Sequence, residues 1–506
     1  MNPSFRSQQL KLLVAVILST LGCVAQPKSI TILHTNDIHA SFVPHEAVWV
    51  RSTPRPLVGG FNELSFVVDS LRRVKPHTLL LDGGDVMTGN PITEYVFDGA
   101  QGGALFEMMN KIGYDAWTPG NHDFDISKEN FTSLAKIAKF PPISANVVDK
   151  EGSLAFNNRE YVIIEKNGLR IGIIGLMSRA FYDLVSQNST VGIKLLPPLP
   201  TIRRLVKELD PKTDLLIALT HQGVEDDSVL AMTVEGIDVV VGGHSHTRLR
   251  TPKVVNGVII VQTGSNCENL GVLDLTVEND RVTGFEGRLI QLWYNSARPT
   301  TELSRFIDSL QAKIDKDYAE VIGTLATDWI RNRSGESNIG NFITDAQREA
   351  AGADVAFMNI HGIRKDAAAG PLTKRDLFEI LPFRNLMTTF TLTGKEIHDI
   401  VQGIIENQKK NAESIHTSGI LCEWRTTADG DVEISKLLIN GRPLDENKTY
   451  LATANDYMMG ESGRYLRIPA PKLTFSSEML FAVVEKKIRE LKTVTSQVEH
   501  RIRRVQ

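Results

Sequence analysis

Cysteine is scarce in this chain, with three among 506 residues. Cys23 lies in an N-terminal segment that has the pattern of a leader, which leaves Cys267 and Cys422. Two cysteines so far apart in sequence cannot form the disulfide framework that stabilises small secreted domains. They could form a single bridge in an oxidising compartment or remain two buried thiols.

The chain also lacks a strong excess of one charge. It has 60 acidic and 56 basic residues, and its formal net charge is −4. This balance argues against a protein that coats nucleic acid polymers, and an anionic substrate would have to be held by local positive groups or metal ions. Hydrophobic content of 42% is ordinary for a globular protein, while 506 residues are too many for one hydrophobic core. We therefore expect two domains after a leader.

A hydrophobic run long enough to cross a membrane is absent as well. The apolar run of residues 12–21 follows a basic start and is too short to span a bilayer. It predicts a signal peptide over residues 1–25, with cleavage after Ala25. The alternative is a lipoprotein site in which Cys23 carries the lipid anchor. We therefore expect an exported protein in the periplasm or at the cell surface, without a transmembrane segment after leader removal.

Continuous runs of Val, Ile and Leu recur through the first half of the chain, and each run ends in polar or Gly-rich residues. Such runs are typical of strands buried on both faces. Helix-like patterns lie between several of them, for example at residues 61–74 and 201–209. Alternating strands and helices predict a layered α/β domain. The polar residues at the strand ends then lie where open α/β sheets bind their ligands.

These strand ends carry an unusual set of metal-binding residue types. The set comprises Asp37, His39, Asp85, Asn121, His221, His244 and His246. Any one of them alone is more often a polar turn or a buried core residue, but several separate strand ends share the pattern. Carboxylate, imidazole and amide ligands without thiolate favour Zn, Mn or a similar divalent metal. Seven ligands are too many for one ion and suit two ions about 3.5–4 Å apart, bridged by a carboxylate, for which Asp85 is the natural choice.

His122 adjoins this set and is followed three residues later by Asp125. A histidine beside two metals can protonate or stabilise a leaving oxygen, and a nearby carboxylate can hold its ring in one orientation. We therefore predict that His122 and Asp125 are catalytic. Asp-x-His and His-x-His pairs are expected to point to one side of an extended backbone, because strand side chains alternate.

The five polar blocks, in this order, resemble those of the calcineurin-like metallophosphoesterases. They are Asp37-x-His39, Gly84-Asp85, Gly120-Asn121-His122-Asp123, Thr220-His221 and Gly243-His244-Ser245-His246. Their order and the trailing Asp125 are similar to the 5′-nucleotidase branch, in which the residues matching His122 and Asp125 form the catalytic dyad. One departure is His246, where periplasmic and ecto-5′-nucleotidases often have Gln or Asn.

The resemblance implies an α/β protein with three parts after the leader. Residues 29–298 would form a four-layer α/β/β/α metallophosphoesterase sandwich, and residues 299–320 a connector helix. Residues 321–500 would form an α+β substrate-binding domain of the 5′-nucleotidase type. In that family the residues matching Asn359 and Arg364 contact the nucleoside, Phe383 stacks on the base, and Tyr457 could form the second aromatic wall.

The second domain departs from the family pattern in two places. The usual arginine near Asn338 is missing, so that Arg331 or Arg333 would have to replace it, and the ribose-binding Asp after Tyr457 is absent. The sequence therefore favours an exported two-metal hydrolase of nucleoside 5′-monophosphates. The alternatives are a 2′,3′-cyclic nucleotide phosphodiesterase, a nucleotide-sugar hydrolase, or an exported nucleotide-binding or adhesion protein without turnover.

Overall fold

The computed structural model describes residues 27–505, except residues 48, 157, 186–188, 333, 384, 411, 413, 428 and 470. The predicted signal peptide, the candidate lipid anchor Cys23, and Arg333 lie outside the described residues. Within the described part, no helix combines the length and the apolar character that a membrane crossing needs. Cys267 and Cys422 are both buried and free, so they are two separate thiols and do not form a disulfide bridge.

The first half contains two mixed sheets whose central strands are parallel. In spatial order the five-stranded sheet consists of Arg281–Gln291, Asn269–Glu278, Lys28–Thr35, Thr78–Asp82 and Ala116–Trp117. The six-stranded sheet consists of Lys253–Val255, Val258–Val261, Val239–Val241, Leu215–His221, Leu169–Met177 and Tyr161–Lys166.

Alternation of side chains along the strands builds the layers of this half. Ile32 and Leu81 on the first sheet share a buried cluster with Ile217 on the second, so the two sheets pack face to face. Leu33 and Leu80, one residue out of phase, face a separate cluster with the helices that cover the first sheet. Those helices are Phe61–Val74, Gly103–Ile112 and Lys128–Ile137, and the second sheet is covered by Pro198–Leu209 and Val224–Thr233.

The resulting order is helix, sheet, sheet, helix, as predicted for this half of the chain. Three antiparallel strand pairs complete it: His45–Glu46 with Leu57–Val58, Val96–Phe97 with Ala100–Gln101, and Val147–Asp149 with Ile193–Leu195. The helical turns are Pro91–Glu94, Asn121–Phe124, Phe181–Leu184 and Asp210–Lys212.

The helix Glu302–Tyr318 follows, capped at its start by the Thr301 side chain. Its buried face, including Leu303, Ile307 and Ile314, packs in the same cluster as the helices on the first sheet. Its far end contacts the second half, where Tyr318 lies edge-on to Phe378. The helix thus touches both halves, and the predicted domain boundaries around it stay predictions.

The second half is an α+β arrangement around a five-stranded sheet. In order, this sheet consists of Ile415–Ser418, Val355–Asn359, Thr449–Asn455, Leu386–Thr393 and Thr474–Met479. Helix Gly394–Lys409 packs on one face, and helices Asn338–Ala351 and Leu480–Leu491 pack on the other.

Two smaller sheets and several short helices complete the second half. One sheet consists of Arg442–Pro443, Val432–Ile439, Ile420–Thr426 and Ile502–Arg504, and the other of Gly370–Thr373, Val321–Leu325 and Thr493–Val494. The short helices are Ile360–Gly362, Lys374–Ile380, Asp456–Gly460 and Ser462–Tyr465. Strand Ile502–Arg504 pairs in parallel with Ile420–Thr426, so chain beyond residue 500 takes part in this fold.

Candidate metal centre and active site

The seven predicted metal-binding side chains come together at the carboxyl ends of the parallel strands. Asp37 and His39 follow Lys28–Thr35, and Asp85 follows Thr78–Asp82. The remaining four lie after or at the ends of three further strands: Asn121 after Ala116–Trp117, His221 at the end of Leu215–His221, and His244 and His246 after Val239–Val241. The strands bring these residues together because parallel neighbours all end at one edge of a sheet.

The backbone at these positions is not extended, so that part of the sequence prediction was wrong. Asp37, His39, Asp85, His244 and His246 have φ angles of 51°, 48°, 57°, 79° and 53°. This left-handed region is uncommon for residues other than glycine and is found at sites where function requires it. The Asp-x-His and His-x-His pairs converge because each strand turns sharply after its last residue, which strand alternation does not anticipate.

Six of the side chains form two groups whose candidate ligand atoms lie within 4.8 Å of one another. The first group is Asp37, His39 and His246, and the second is Asp85, His221 and His244. In the first, the Nε2 atoms of His39 and His246 are 3.0 Å apart. Asn121 joins the second, since its Oδ1 lies 3.1 Å from Nδ1 of His244.

Asp85 lies between the two groups. Its Oδ2 is 3.2 Å from Nε2 of His221 and 3.9 Å from Nε2 of His39. Its other oxygen, Oδ1, accepts a hydrogen bond of 2.8 Å from the backbone N–H of His122. Glycine is required next to it, because a Cβ at Gly120 would lie 2.2 Å from that oxygen. The carboxylate is thus held where both groups can share it.

The donor atoms fit divalent cations. Nδ1 of His221 donates to the carbonyl of Gly83 at 2.7 Å, and its Nε2 is buried without a hydrogen-bond partner among the described residues. Nδ1 of His39 likewise lies 3.2 Å from the carbonyl of Thr88, which leaves Nε2 facing the group. Buried polar atoms normally have partners, and an orphaned imidazole nitrogen beside a carboxylate is the arrangement that a cation satisfies.

For His39, His244 and Asp85, electrostatics favour the protonation states that metal binding needs. Burial lowers the pKa of His39 well below its usual value and that of His244 to about 4, so both rings are neutral. Burial alone would raise the pKa of Asp85, but His221, His122 and His39 together outweigh it, and the pKa falls well below the usual value. His221 is the exception: burial opposes its protonation, yet Asp85 and Asp37 together raise its pKa to about 10, so a bound cation would have to replace the proton on its Nε2.

The predicted dyad adjoins the second group. Nδ1 of His122 lies 2.7 Å from Oδ2 of Asp125, a hydrogen bond to the carboxylate that leaves Nε2 available. Burial opposes the charged form of His122, but Asp125 and Asp85 outweigh this effect and raise its pKa above the usual value. A protonated, oriented imidazole next to two ligand groups can deliver a proton to a leaving group.

Two predicted substrate residues reach this site from the second half of the chain. The Phe383 ring stacks on His122, with centroids 5.5 Å apart and planes at 26°. The guanidinium of Arg364 lies 5.7 Å from the centre of the Phe383 ring, and its Nη2 is 3.5 Å from Nε2 of His39. The two halves therefore share one site, in which the guanidinium of Arg364 and the ring of Phe383 lie over the metal-ligand groups.

The other two predicted substrate residues have partners within the second half. Asn359 is buried, and its Oδ1 accepts a hydrogen bond of 3.0 Å from Nδ2 of Asn455. The ring of Tyr457 lies 6.3 Å from that of Tyr465. Their roles toward a substrate stay predictions.

Arg331, expected as a replacement for the family arginine, has a different position. Its guanidinium donates to the backbone carbonyl of Arg364, and its Nε donates to Oδ1 of Asp366 at 3.0 Å. Arg331 therefore stabilises the segment that carries Arg364 through these hydrogen bonds.

The sequence analysis did not predict two residues that support the site through hydrogen bonds. Asp123 accepts hydrogen bonds from the backbone N–H groups of Asp85, Val86, Met87 and Gly120, at 2.7–3.1 Å. Its place within the Gly-Asn-His-Asp block was the signal that could have identified it. The second residue is Thr88, whose hydroxyl donates to Asp125 at 2.7 Å. No motif marks it, because its partner lies on a different loop.

Comparison with known proteins agrees with this geometry. The model of calcineurin-like phosphoesterases matches residues 30–248, and the model of the 5′-nucleotidase C-terminal domain matches residues 321–468. The chain belongs to the 5′-nucleotidase family. This family member is accordingly a metal-dependent phosphoester hydrolase with a catalytic metallophosphoesterase half and a 5′-nucleotidase-type second half. The divalent cations of the family fit the two ligand groups described above.

Several relatives match this chain over nearly its whole length. A 5′-nucleotidase of Vibrio vulnificus is 29% identical over 528 aligned positions, covering 91% of each chain. Protein UshA of Escherichia coli is 26% identical and covers 86% of each chain. The crystal structure of a 5′-nucleotidase precursor from Thermus thermophilus superposes with a TM-score of 0.80 at 26% identity, covering 94% of this chain and 99% of its own.

Proposed function

We propose that this protein hydrolyses nucleoside 5′-monophosphates to nucleoside and phosphate, with two divalent ions such as Zn or Mn. The observation that carries this proposal is the position of Phe383 and Arg364 over His122 and His39. An aromatic face suits a nucleobase, and a guanidinium suits a phosphoryl group. Relatives named 5′-nucleotidase that match nearly the full length support the same substrate class.

In this mechanism Asp37, His39 and His246 would hold one ion, Asn121, His221 and His244 would hold the other, and Asp85 would contribute to both. Two bound ions would supply charge neutralisation of the phosphoryl group and a lowered pKa of water. The protein's own part is to place the phosphoryl group between these ligands and Arg364. Asn359 and Tyr457 would contact the nucleoside together with Phe383.

His122 acts on the leaving group. As water adds to phosphorus and the bond from phosphorus to the 5′ oxygen breaks, Nε2 of His122 donates its proton to that oxygen. Asp125 accepts the Nδ1–H hydrogen bond at 2.7 Å and holds the ring in one orientation. The raised pKa of His122 keeps more of the imidazole protonated near neutral pH, which general acid catalysis requires.

The test is a substrate panel with and without chelator. The mature chain should hydrolyse AMP and other nucleoside monophosphates, lose this activity on thorough chelation, and regain it with Zn or Mn. A preference for UDP-glucose or for 2′,3′-cyclic nucleotides would replace the proposed substrate by one of the alternatives. Metal binding without turnover of any phosphoester would indicate a binding protein.

We also propose that the protein is exported, with residues 1–25 removed or with a lipid on Cys23. The support is the short apolar run after a basic start. Mass spectrometry of the N-terminal peptide from the native cell envelope separates the two forms. An intact Met1 on the protein in the cytoplasmic fraction would contradict both.

A further inference from the structure

Thr88 contacts the first metal-ligand group, through His39, and the dyad, through Asp125. Its hydroxyl donates to Oδ2 of Asp125 at 2.7 Å, the same oxygen that accepts from Nδ1 of His122 at 2.7 Å. Its carbonyl lies 3.2 Å from Nδ1 of His39. The residue is buried, with 8% of its surface exposed. One amino acid thus touches the carboxylate behind the proton donor and the ring of a candidate metal ligand.

The backbone of Thr88 is held in a conformation that a β-branched residue rarely adopts. Its φ is 65°, in the left-handed region. The preceding loop is tied to the first strand end, because the N–H of His39 donates to the carbonyl of Asp85 at 2.9 Å and that of Ala40 to Val86 at 2.8 Å. Glycine would adopt this φ without strain but would bring no hydroxyl. Strain kept by surrounding contacts is characteristic of functional positions.

We propose that Thr88 is a positioning residue for proton transfer to the leaving group, which rests on the function proposed above. A carboxylate can rotate and offer either oxygen to its neighbours. The Thr88 hydroxyl fixes Oδ2 of Asp125 in place, so that His122 keeps its Nδ1–H bond and its Nε2 stays directed away from the carboxylate. A residue that orients a functional side chain through a hydrogen bond commonly contributes about 10- to 100-fold to activity.

This role predicts a dependence on the leaving group. A nucleoside 5′ oxygen is a poor leaving group and needs the proton of His122, whereas p-nitrophenolate leaves without protonation. Loss of the Thr88 hydroxyl should therefore slow hydrolysis of AMP much more than that of p-nitrophenyl phosphate. A substitution that merely loosened the fold would slow both substrates alike.

The experiment compares Thr88→Val, Thr88→Ser and Thr93→Val in the full mature chain loaded with metal. Thr88→Val removes the hydroxyl with little change of shape, and Thr88→Ser retains it. Thr93 is the matched control, since it is buried nearby and its hydroxyl donates to the carbonyl of Asn90 at 2.9 Å. Metal content and thermal unfolding are measured for each variant.

We expect Thr88→Val to lower kcat for AMP about 10- to 100-fold while kcat for p-nitrophenyl phosphate and the metal content change little. Thr88→Ser should recover AMP turnover, and Thr93→Val should behave like the wild type. In an Asp125→Ala background, Thr88→Val should have no further effect. Equal losses on both substrates, or an unaffected AMP rate, would overturn the proposal. A wild-type chain that hydrolyses neither ester would instead contradict the proposed function.

Discussion

The ring of Phe383 lies nearly parallel to the ring of His122, with centroids 5.5 Å apart. These residues are 261 positions apart in the chain and belong to different halves of the molecule. A residue expected to stack on a nucleobase therefore also covers the predicted proton donor. The aromatic residue expected to hold the base and the residue expected to donate the proton are therefore in direct contact.

Phe383→Ala should raise KM for AMP about tenfold, because stacking of a base on an aromatic ring contributes about 1–3 kcal/mol. Phe383→Tyr should restore most of the affinity. Steady-state kinetics on AMP give both values, with Phe285→Ala as a control at an exposed aromatic residue. An unchanged KM would mean that Phe383 only packs against His122.

His122→Ala should lower kcat for AMP about 100-fold or more, since general acid catalysis contributes about 10²- to 10⁴-fold. Metal content should stay at the wild-type level, because its ring is outside the two ligand groups. The control is His398→Ala, on the helix Gly394–Lys409. Unchanged turnover in His122→Ala would remove the dyad from the mechanism.

Asp85→Asn should weaken metal binding at both groups, since this carboxylate lies near His221 in one and His39 in the other. We expect a loss on the order of 100-fold or more in affinity, because a charge beside a cation contributes several kcal/mol in a partly buried site. Calorimetric titration with Zn or Mn measures it, with Asp69→Asn on helix Phe61–Val74 as the control. Loss of only one ion with normal binding of the other would show that Asp85 is not shared.

Stability should fall as the pH decreases below about 6.5, in part because of His416. Burial lowers the pKa of His416 to about 4, and in the part of the chain that the structure describes its Nδ1 is buried without a hydrogen-bond partner. The unfolded chain binds a proton there below about pH 6.5, whereas the folded chain stays neutral until about pH 4. The contribution of His416 to the free energy of unfolding is therefore present above pH 6.5 and is lost progressively toward pH 4, by at most about 3 kcal/mol.

Urea unfolding at pH 7.5 and pH 5 measures this effect. In His416→Gln the difference in unfolding free energy between the two pH values should shrink, while His398→Gln should keep the wild-type difference. If His416→Gln shows the wild-type pH dependence, His416 is accessible to protons in the folded state.

Local patterns were enough to predict a layered α/β domain and the list of candidate ligands, whereas the order of its four layers was implied by the family resemblance. Residues such as Ile32 and Leu33 predict strands with two buried faces, and polar residues after parallel strands must meet at one edge. The backbone shape at Asp37 and His244 was beyond that reasoning. Their left-handed φ angles depend on contacts with other loops, for example the N–H of Asp37 donating to the carbonyl of Gly84 at 2.8 Å.

The sequence by itself determined which residue types stand at each strand end, and with them the candidate metal ligands and the candidate proton donor. Only the tertiary structure decided that Asp85 lies between two groups, that Thr88 supports Asp125, and that Phe383 and Arg364 cover the site. The physical reason is the difference in sequence separation between the interacting residues. Side-chain periodicity and residue chemistry are local properties of the chain, whereas these contacts join loops and domains whose relative positions are set by the packing of the whole core.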